Sequence, residues 1–230
     1  MSKNSLKISS FWAALFSILV LTLSVLSQQN KDIKSQAQQF VTTGNSRLQD
    51  NNSKLIEPHS LPIEYYSLLL ERYSLLRDLA PAALAAGDSK QAKKYALELQ
   101  TVGDQIRKES KIDTRIPSYA THVSNIVLGL IAFDEGNITK AKDYLLAAAQ
   151  FSGGPDPALM TWGPNMLLAK KLLERGERET VIQYFDSCAK FWERENGRLE
   201  KWKNTVKEGG MPDFGTNVGF AVDTWRFRQL

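Results

Sequence analysis

The sequence predicts an all-α protein, and three observations carry that expectation. Apolar residues recur at helical spacing beyond residue 61, with Tyr66, Leu69, Leu70, Tyr73 and Leu76 forming one stripe and Ile126, Leu130 and Phe133 another. No run shows the sustained alternation of a strand before the last dozen residues. Three segments also share one punctuation: an apolar helix, a Gly followed by a polar residue, then a second helix with a small or apolar residue five positions after that Gly.

The first element is a leader. Residues 1–10 are polar and carry Lys3 and Lys7, residues 11–26 (FWAALFSILVLTLSVL) are an uncharged run, and Ser27-Gln28-Gln29 comes next. A basic flank, an apolar stretch and a polar exit make residues 1–27 a signal peptide or a signal anchor. Counted generously over residues 8–27, the run is about 20 residues, which at about 1.5 Å per residue just spans a ~30 Å hydrocarbon core. Val25-Leu26-Ser27 is a mediocre cleavage site without Ala-x-Ala, so both outcomes stay open. The lysines are expected to hold the N-terminus in the cytoplasm and to place the body on the periplasmic or extracytoplasmic side. If uncleaved, residues 8–27 anchor it to the inner membrane.

Residues 28–60 are rich in Gln and Asn and read as a polar tether, with one short helix allowed where Ile33, Ala37, Phe40 and Val41 share a face. The helical domain is expected over residues 61–210. Its first repeat, LLRDLAPAALAAGDSKQAKKYALEL, turns at Gly87 with Ala92 and Ala96 beyond. The second, NIVLGLIAFDEGNITKAKDYLLAAA, turns at Gly136 with Ala141, Leu145 and Ala148 beyond, and the third, NMLLAKKLLERGERETVIQYFDSCA, turns at Gly176 with Val181, Phe185 and Cys188 beyond. Gly supplies the left-handed conformation that ends one helix, the next residue caps the following one, and small residues let two antiparallel helices approach. Asp88 and Asn137 are good caps and Glu177 a poor one.

The second repeat has Leu128-Gly129 upstream of Gly136 and Ala141, Leu145 and Ala148 after it, and so resembles the tetratricopeptide (TPR) family. The resemblance covers roughly residues 65–192 and implies irregular helix pairs stacked into a short right-handed solenoid with a concave binding face. Pro81 departs from the pattern and is expected to kink or break its helix. Val181 replaces the usual Ala, and the glycine spacings of 49 and 40 are not the family's. The segment GPNMLLAKKLLERGERETVIQYFDSCAKFW resembles a motif that recurs in bacterial exported proteins and implies no activity.

Leu199, Trp202 and Val206 share one face of a charged helix suited to closing the open end of a solenoid. Gly209-Gly210 and Pro212 then stop it, and residues 211–230 contain Phe214, Phe220, Val222, Trp225 and Phe227, too many large apolar groups to leave in water. This tail is expected to dock on the body, as a strand, a helix or an extended segment in the groove. Four of the five tryptophans fall after residue 161. Asn125, Trp162, Asn165, Trp192 and Trp202 are the candidate groove or packing residues.

Composition narrows the function classes. With 43% hydrophobic and 23% charged residues, the chain can bury a core. The net charge of +4 and the lack of a long Lys/Arg run give no nucleic-acid footprint and no polybasic membrane patch. Cys188 is the only cysteine, reads as a small buried residue, and excludes an internal disulfide; His59 and His122 are both distant from it in sequence. No metal-ligand, phosphate-loop or nucleophile-elbow pattern is present, so no cofactor and no metal are expected. Asp213-Phe214-Gly215 copies the magnesium-binding tripeptide of kinases without its companions and reads as chance. Asp134/Glu135, Glu177/Glu179 and Glu193/Glu195 are carboxylate pairs with Lys or Arg nearby, which favours solvated ion pairs over acid/base work. Asn51 and Asn137 head glycosylation-type triplets. The expected function is a non-enzymatic scaffold or adaptor that binds a protein or peptide segment in the bacterial cell envelope. The alternative is an envelope hydrolase using a carboxylate pair on glycan or peptide.

Overall fold

The computed structural model describes residues 3–56, 62–109, 116–151 and 153–220, with side chains from residue 22 onward except at residue 116. The described residues are all-helical and contain no strand: α1 Lys3–Ile56, α2 Pro62–Ala85, α3 Ser89–Glu109, α4 Ile116–Asp134, α5 Ile138–Ala147, α6 Pro157–Trp162, α7 Leu167–Glu174, α8 Arg178–Cys188 and α9 Arg198–Lys207. A short 3-10 turn, Gly215–Val218, comes after α9.

Three Gly turns join α2 to α3, α4 to α5 and α7 to α8, and all three use one hydrogen-bond device. Gly87, Gly136 and Gly176 have φ of 84°, 79° and 83°. In each turn the glycine N–H donates to the carbonyl three residues back, at 2.9, 3.0 and 2.9 Å. The next residue donates to the carbonyl five back, at 2.9, 2.8 and 3.0 Å. This paired closure satisfies carbonyls that a helix end leaves open, and only a left-handed residue permits it. Asp88 and Asn137 then cap the next helices, their Oδ1 atoms accepting from the N–H of Gln91 at 2.9 Å and Lys140 at 3.1 Å. Glu177 makes no such cap; its carboxylate reaches across to Lys142 of α5 at 2.9 Å.

Packing repeats with the turns. Ala92, Ala141 and Val181 stand five residues after the glycine and are fully buried, as are Ala96, Leu145 and Phe185 four residues further on. On the preceding helices Ala80, Gly129 and Ala169 occupy the equivalent place seven residues before the glycine. A side chain on Gly129 would begin 2.3 Å from Leu168 Cδ2, so α4 and α7 meet where no Cβ fits. Each pair packs internally, and α2 touches α4, α4 touches α7 and α5 touches α8.

The core has two lobes that share α4. Val123, Val127, Leu128 and Ile131 face the lobe built with α1, α2 and α3, while Ile126, Leu130 and Ala132 face the lobe built with α5 to α9. A helix apolar on all sides belongs at the centre of a domain, and α4 is buried almost without a break from Ala120 to Ala132.

Two elements differ from the sequence expectations. The stretch read as a tether is helix through Ile56, and Ala37, Val41, Gly44, Leu48 and Asn51 pack onto α2 and α3. Its steps of four and three residues form a narrow seam that Gln and Asn on the other faces conceal. Asn51, fully buried, donates through Nδ2 to the Leu68 carbonyl at 3.1 Å and Glu71 at 3.2 Å. Tyr95 donates its hydroxyl to Asn45. Pro81, expected to kink or break its helix, does not end it: α2 runs through it to Ala85, and the buried proline falls in the last turn, where one backbone bond is forgone.

Among the described residues no helix is long and apolar enough to cross a membrane. Most side chains of the apolar leader lie outside those described. The segment Val25-Leu26-Ser27 lies inside α1.

The tail docks as far as it is described. Phe214 is buried against Phe185 and Trp202, with ring centroids 6.2 and 5.0 Å away, and Trp202 Nε1 donates to the Asp213 carbonyl at 2.9 Å. Val222, Trp225 and Phe227 lie outside the described residues.

Gly136 has φ of 79° and nothing within 4 Å of an added Cβ, so Gly136→Ala is expected to cost about 1 kcal/mol by backbone strain alone. Gly163→Ala combines a φ of 85° with a Cβ 2.3 Å from the Trp192 ring and is expected to cost more, about 2 to 4 kcal/mol. Urea unfolding of both variants checks the order; equal losses would mean that strain alone matters at Gly163.

Candidate functional site

The face of α2 that turns toward α4 carries Tyr73 and, one turn later, Arg77. The Arg77 guanidinium lies 6.0 Å from the Tyr73 ring centre, and its Nε donates to Asp78 Oδ1 at 3.0 Å. Tyr119 of α4 and Asp156, the cap of α6, contribute to the electrostatics of the same group. Burial pushes the Tyr73 and Tyr119 phenols above their ordinary range, and Arg77 partly opposes that shift. Burial also works against the Arg77 charge, but the hydrogen bond and charge of Asp78 more than offset it and raise its pKa. The result is one paired guanidinium between a buried phenol, Tyr73, and a half-buried one, Tyr119, with Arg77, Asp78 and Tyr119 forming the partly exposed part. Tyr and Arg are the residues that anchor protein interfaces, because each adds large contact area with a polar tip.

Beside the patch lies a buried polar junction. His122 Nδ1 sits 2.9 Å from the Ala148 carbonyl, and Nε2 accepts the Asn165 N–H at 2.9 Å. A carbonyl only accepts and an N–H only donates, so the ring is neutral with its proton on Nδ1. Burial lowers the His122 pKa to about 4, the Ala148 hydrogen bond opposing it. Asn165 Nδ2 donates to the Gly219 carbonyl at 2.8 Å, and its backbone carbonyl accepts from the Tyr184 hydroxyl at 3.1 Å. Asn217 Nδ2 donates to the carbonyls of Trp162 at 3.0 Å and Pro164 at 3.1 Å, while its backbone carbonyl accepts the Met166 N–H at 2.6 Å. The junction therefore ties α4, the start of α7 and the tail together. Phe220 packs against both core lobes, which brings the tail to the edge of the Tyr119 patch.

The sequence candidates separate into distinct places. Asn165 belongs to the junction. Asn125 is buried on α4 and donates to its own helix at the Thr121 carbonyl, 2.7 Å away. Trp192 and Trp202 are core, their ring centroids 5.7 Å apart. Trp192 Nε1 is buried with no hydrogen-bond partner among the described residues, and Arg198 lies over its ring at 4.9 Å. Trp162 is 76% exposed. Gly87, Gly136 and Gly176 are turn positions away from the patch. The patch itself, Tyr73, Arg77, Asp78, Tyr119 and Asp156, is not among the sequence candidates; its only local signal is the i, i+4 spacing of Tyr73 and Arg77, since the other members come from separate elements.

The carboxylate pairs hold structural partners. Asp134 meets Lys171 at 3.1 Å, Glu177 meets Lys142, and Glu195 Oε2 accepts the Leu199 N–H at 2.9 Å. Cys188 is fully buried, and burial raises its thiol far above the ordinary range. Asp213 Oδ1 accepts the Gly215 N–H at 2.9 Å, so that tripeptide is part of the tail plug. Among the described residues, no group of three or more His, Cys, Asp or Glu side chains could hold a metal ion. Asn51 and Asn137 are occupied as a buried hydrogen-bonding residue and a helix cap. His59 lies outside the described residues.

Because the folded pKa of His122 lies below the unfolded value of about 6.5, its neutral form is the one folding favours. That stability is present above pH 6.5 and falls as pH drops from 6.5 toward 4. The loss between pH 7 and pH 5 is expected to be about 2 kcal/mol. Unfolding at both pH values checks it: His122→Gln should remove this part of the slope. At the tail, Phe214→Ala should cost about 3 to 5 kcal/mol and Asp213→Ala under about 1.5 kcal/mol, because the first opens a cavity and the second loses one hydrogen bond. Thermal unfolding separates them; a kinase-like role for the aspartate is unnecessary to either value.

Compared with known proteins, the chain matches no family model, no curated protein and no solved structure.

Proposed function

We infer that this chain is an exported, TPR-like interaction module of the bacterial cell envelope, whose helical hairpins stack as a short solenoid and bind a protein or peptide segment. Support for the repeat comes from the shared turn device, the equivalent buried positions and the packing of each hairpin on the next. Support for export comes from Lys3, Lys7 and the uncharged run after them.

The observation that carries the binding reading is the Tyr73–Arg77–Tyr119 patch. It lies on the first helices of two successive hairpins, and in a stacked array those helices line the concave face. Its chemistry suits a segment that offers an apolar or aromatic side chain to the half-buried Tyr119 ring and a carboxylate or carbonyl to Arg77, with Tyr73 supporting the guanidinium from the core side. Asp78 keeps the guanidinium oriented before a partner arrives, which lowers the ordering cost of binding.

A photoreactive residue placed at exposed Ser74, one turn before Arg77 on α2, should give a discrete crosslinked protein adduct in cells, whereas the same residue at exposed Lys190 should not. Arg77→Gln in the crosslinking variant should weaken the adduct with little change in melting temperature, whereas Tyr119→Ala should lower the melting temperature as well, because Tyr119 packs against both core lobes. Equal labelling from Ser74 and Lys190, or none from Ser74, overturns the binding reading. A reporter active only after export, fused at Leu230, tests the compartment separately.

A further inference from the structure

We propose that the Gly87 end of the first hairpin rests on an anionic lipid surface, held there by α1, whose apolar end enters the bilayer. The proposal rests on the anchored reading of the leader and adds a second, electrostatic contact made by the body itself.

The direction of α1 is set by its partners. Asn51 bonds to α2 at Leu68 and Glu71, Gly44 lies against Leu79, and Lys34 lies beside the Gly87 turn, its Nζ 3.3 Å from where a side chain at that glycine would begin. Thus α1 runs antiparallel to α2, and everything N-terminal of Lys34 projects past the turn. On that projecting part Leu23 and Leu26 share one face, Val25 lies on the opposite side, and the three are 57%, 54% and 55% exposed. Apolar groups exposed on opposite sides of one helix suit a hydrocarbon environment better than a protein groove that covers one side.

The charges at this end complete the argument. Lys31 and Lys34 on α1 and Lys90, Lys93 and Lys94 on the first turns of α3 are all exposed. Their acidic neighbours are Asp32, which accepts from Gln28 at 3.0 Å, and Asp88, which caps α3. Five lysines against two carboxylates make a basic end that no linear run announces. At about 1.5 Å per residue, Lys31 and Lys34 stand about 6 and 10 Å beyond Ser27. Those heights fall within the headgroup zone and the ~8 Å screening length above it. One exposed face of α1 carries Leu23, Leu26 and Ser27 toward the leader and Asn30, Lys31 and Lys34 toward the body, apolar first and cationic after.

Continuity ties the contact to the anchor. One helix carries both the exposed leucines and the buried Ala37–Asn51 seam, so the hairpin and the anchor move as one body and only their common tilt decides whether the Gly87 end meets the headgroups.

The test uses the full chain reconstituted into vesicles of phosphatidylcholine, with or without phosphatidylglycerol, that carry a quencher on the lipid headgroup. A fluorophore is placed on Ser89→Cys at the basic end or on Thr101→Cys, both exposed sites on α3. The Ser89→Cys label should be quenched strongly in anionic vesicles, weakly in neutral ones, and less at high salt. The Thr101→Cys label should be spared throughout. Replacing Lys90, Lys93 and Lys94 by Gln should lower the docked-to-undocked ratio, by at most about fivefold for Lys90 and by less for Lys93 and Lys94, which stand further from the surface along α3. Equal quenching in both vesicle types, or an unchanged signal in the triple Gln variant, overturns the basic contact while leaving the anchor intact. A chain that separates from both vesicle types overturns the anchor, and this proposal with it.

Discussion

The structure depends on α4. Buried between two lobes from Ala120 to Ala132 except at Thr121, it gives the polar groups of that stretch little water, so they must find partners inside the protein. Ser124 and Asn125 bond back to their own helix at Ala120 and Thr121. His122 instead bonds away from its own helix with both ring nitrogens, Nδ1 to the Ala148 carbonyl and Nε2 taking the Asn165 N–H. One satisfied imidazole therefore fixes where the chain enters α7. Through Asn165 and Asn217 it also fixes where the tail lies. The second lobe is organised around a hydrogen-bond requirement of the helix that divides it from the first.

Around that wall the hairpins are variations on one turn. The glycine closure is identical in all three, but the start of the next helix is not. Where Asp88 and Asn137 cap that helix locally, Glu177 leaves its first turn to the backbone and pairs with Lys142 of the preceding hairpin. A local bond is exchanged for a bond between hairpins. The pair is about one-third exposed on each side, so it positions more than it stabilises. Contact positions vary in the same spirit: Ala92 and Ala141 become Val181, while the close approach that Gly129 permits in the second repeat is made over Ala80 and Ala169 in the others. The unequal glycine spacings come from the elements between the turns: the 21-residue α3 lies between the first and second, and the 10-residue α5 and the short α6 between the second and third.

Local chemistry was legible in the sequence and convergence was not. Helical periodicity, the three glycine turns and the good and poor caps arise from residues close together in the chain, and the docking of Phe214 comes from the cost of exposing it. The packing of α1 has little signature because its buried seam is composed of Ala37, Val41, Gly44, Leu48 and Asn51, three of which are small or polar. Helix–helix contact through small residues gains from close approach rather than from large apolar area, so composition hides it. Pro81 acts in the opposite sense, since it looks like a helix breaker but α2 runs through it to Ala85 with the loss of one backbone hydrogen bond. The Tyr73–Arg77–Tyr119 patch and the lysine end both draw on elements distant in sequence. Neither has a linear signature, and each exists only once the helices are placed.

The continuity of α1 changes what the body can do. A polar coil of the same length would decouple the apolar leader from the hairpins and let the domain sample all orientations. A helix committed to the core from Ala37 to Asn51 transmits orientation instead. The Gly87 turn is fixed beside the point where α1 leaves the body, and α2, the next helix back, carries Tyr73 and Arg77. The patch is consequently held at a set position relative to the apolar end of α1 by two packed helices and no loop. Phe220 packs against both lobes, as Tyr119 does, and is the last described residue of the tail. On the binding reading proposed above, a segment approaching Arg77 and Tyr119 would meet a surface oriented by α1. Rigid placement would then favour partners presented at a defined distance from the apolar end of α1 over partners diffusing freely, because it removes part of the ordering cost of association.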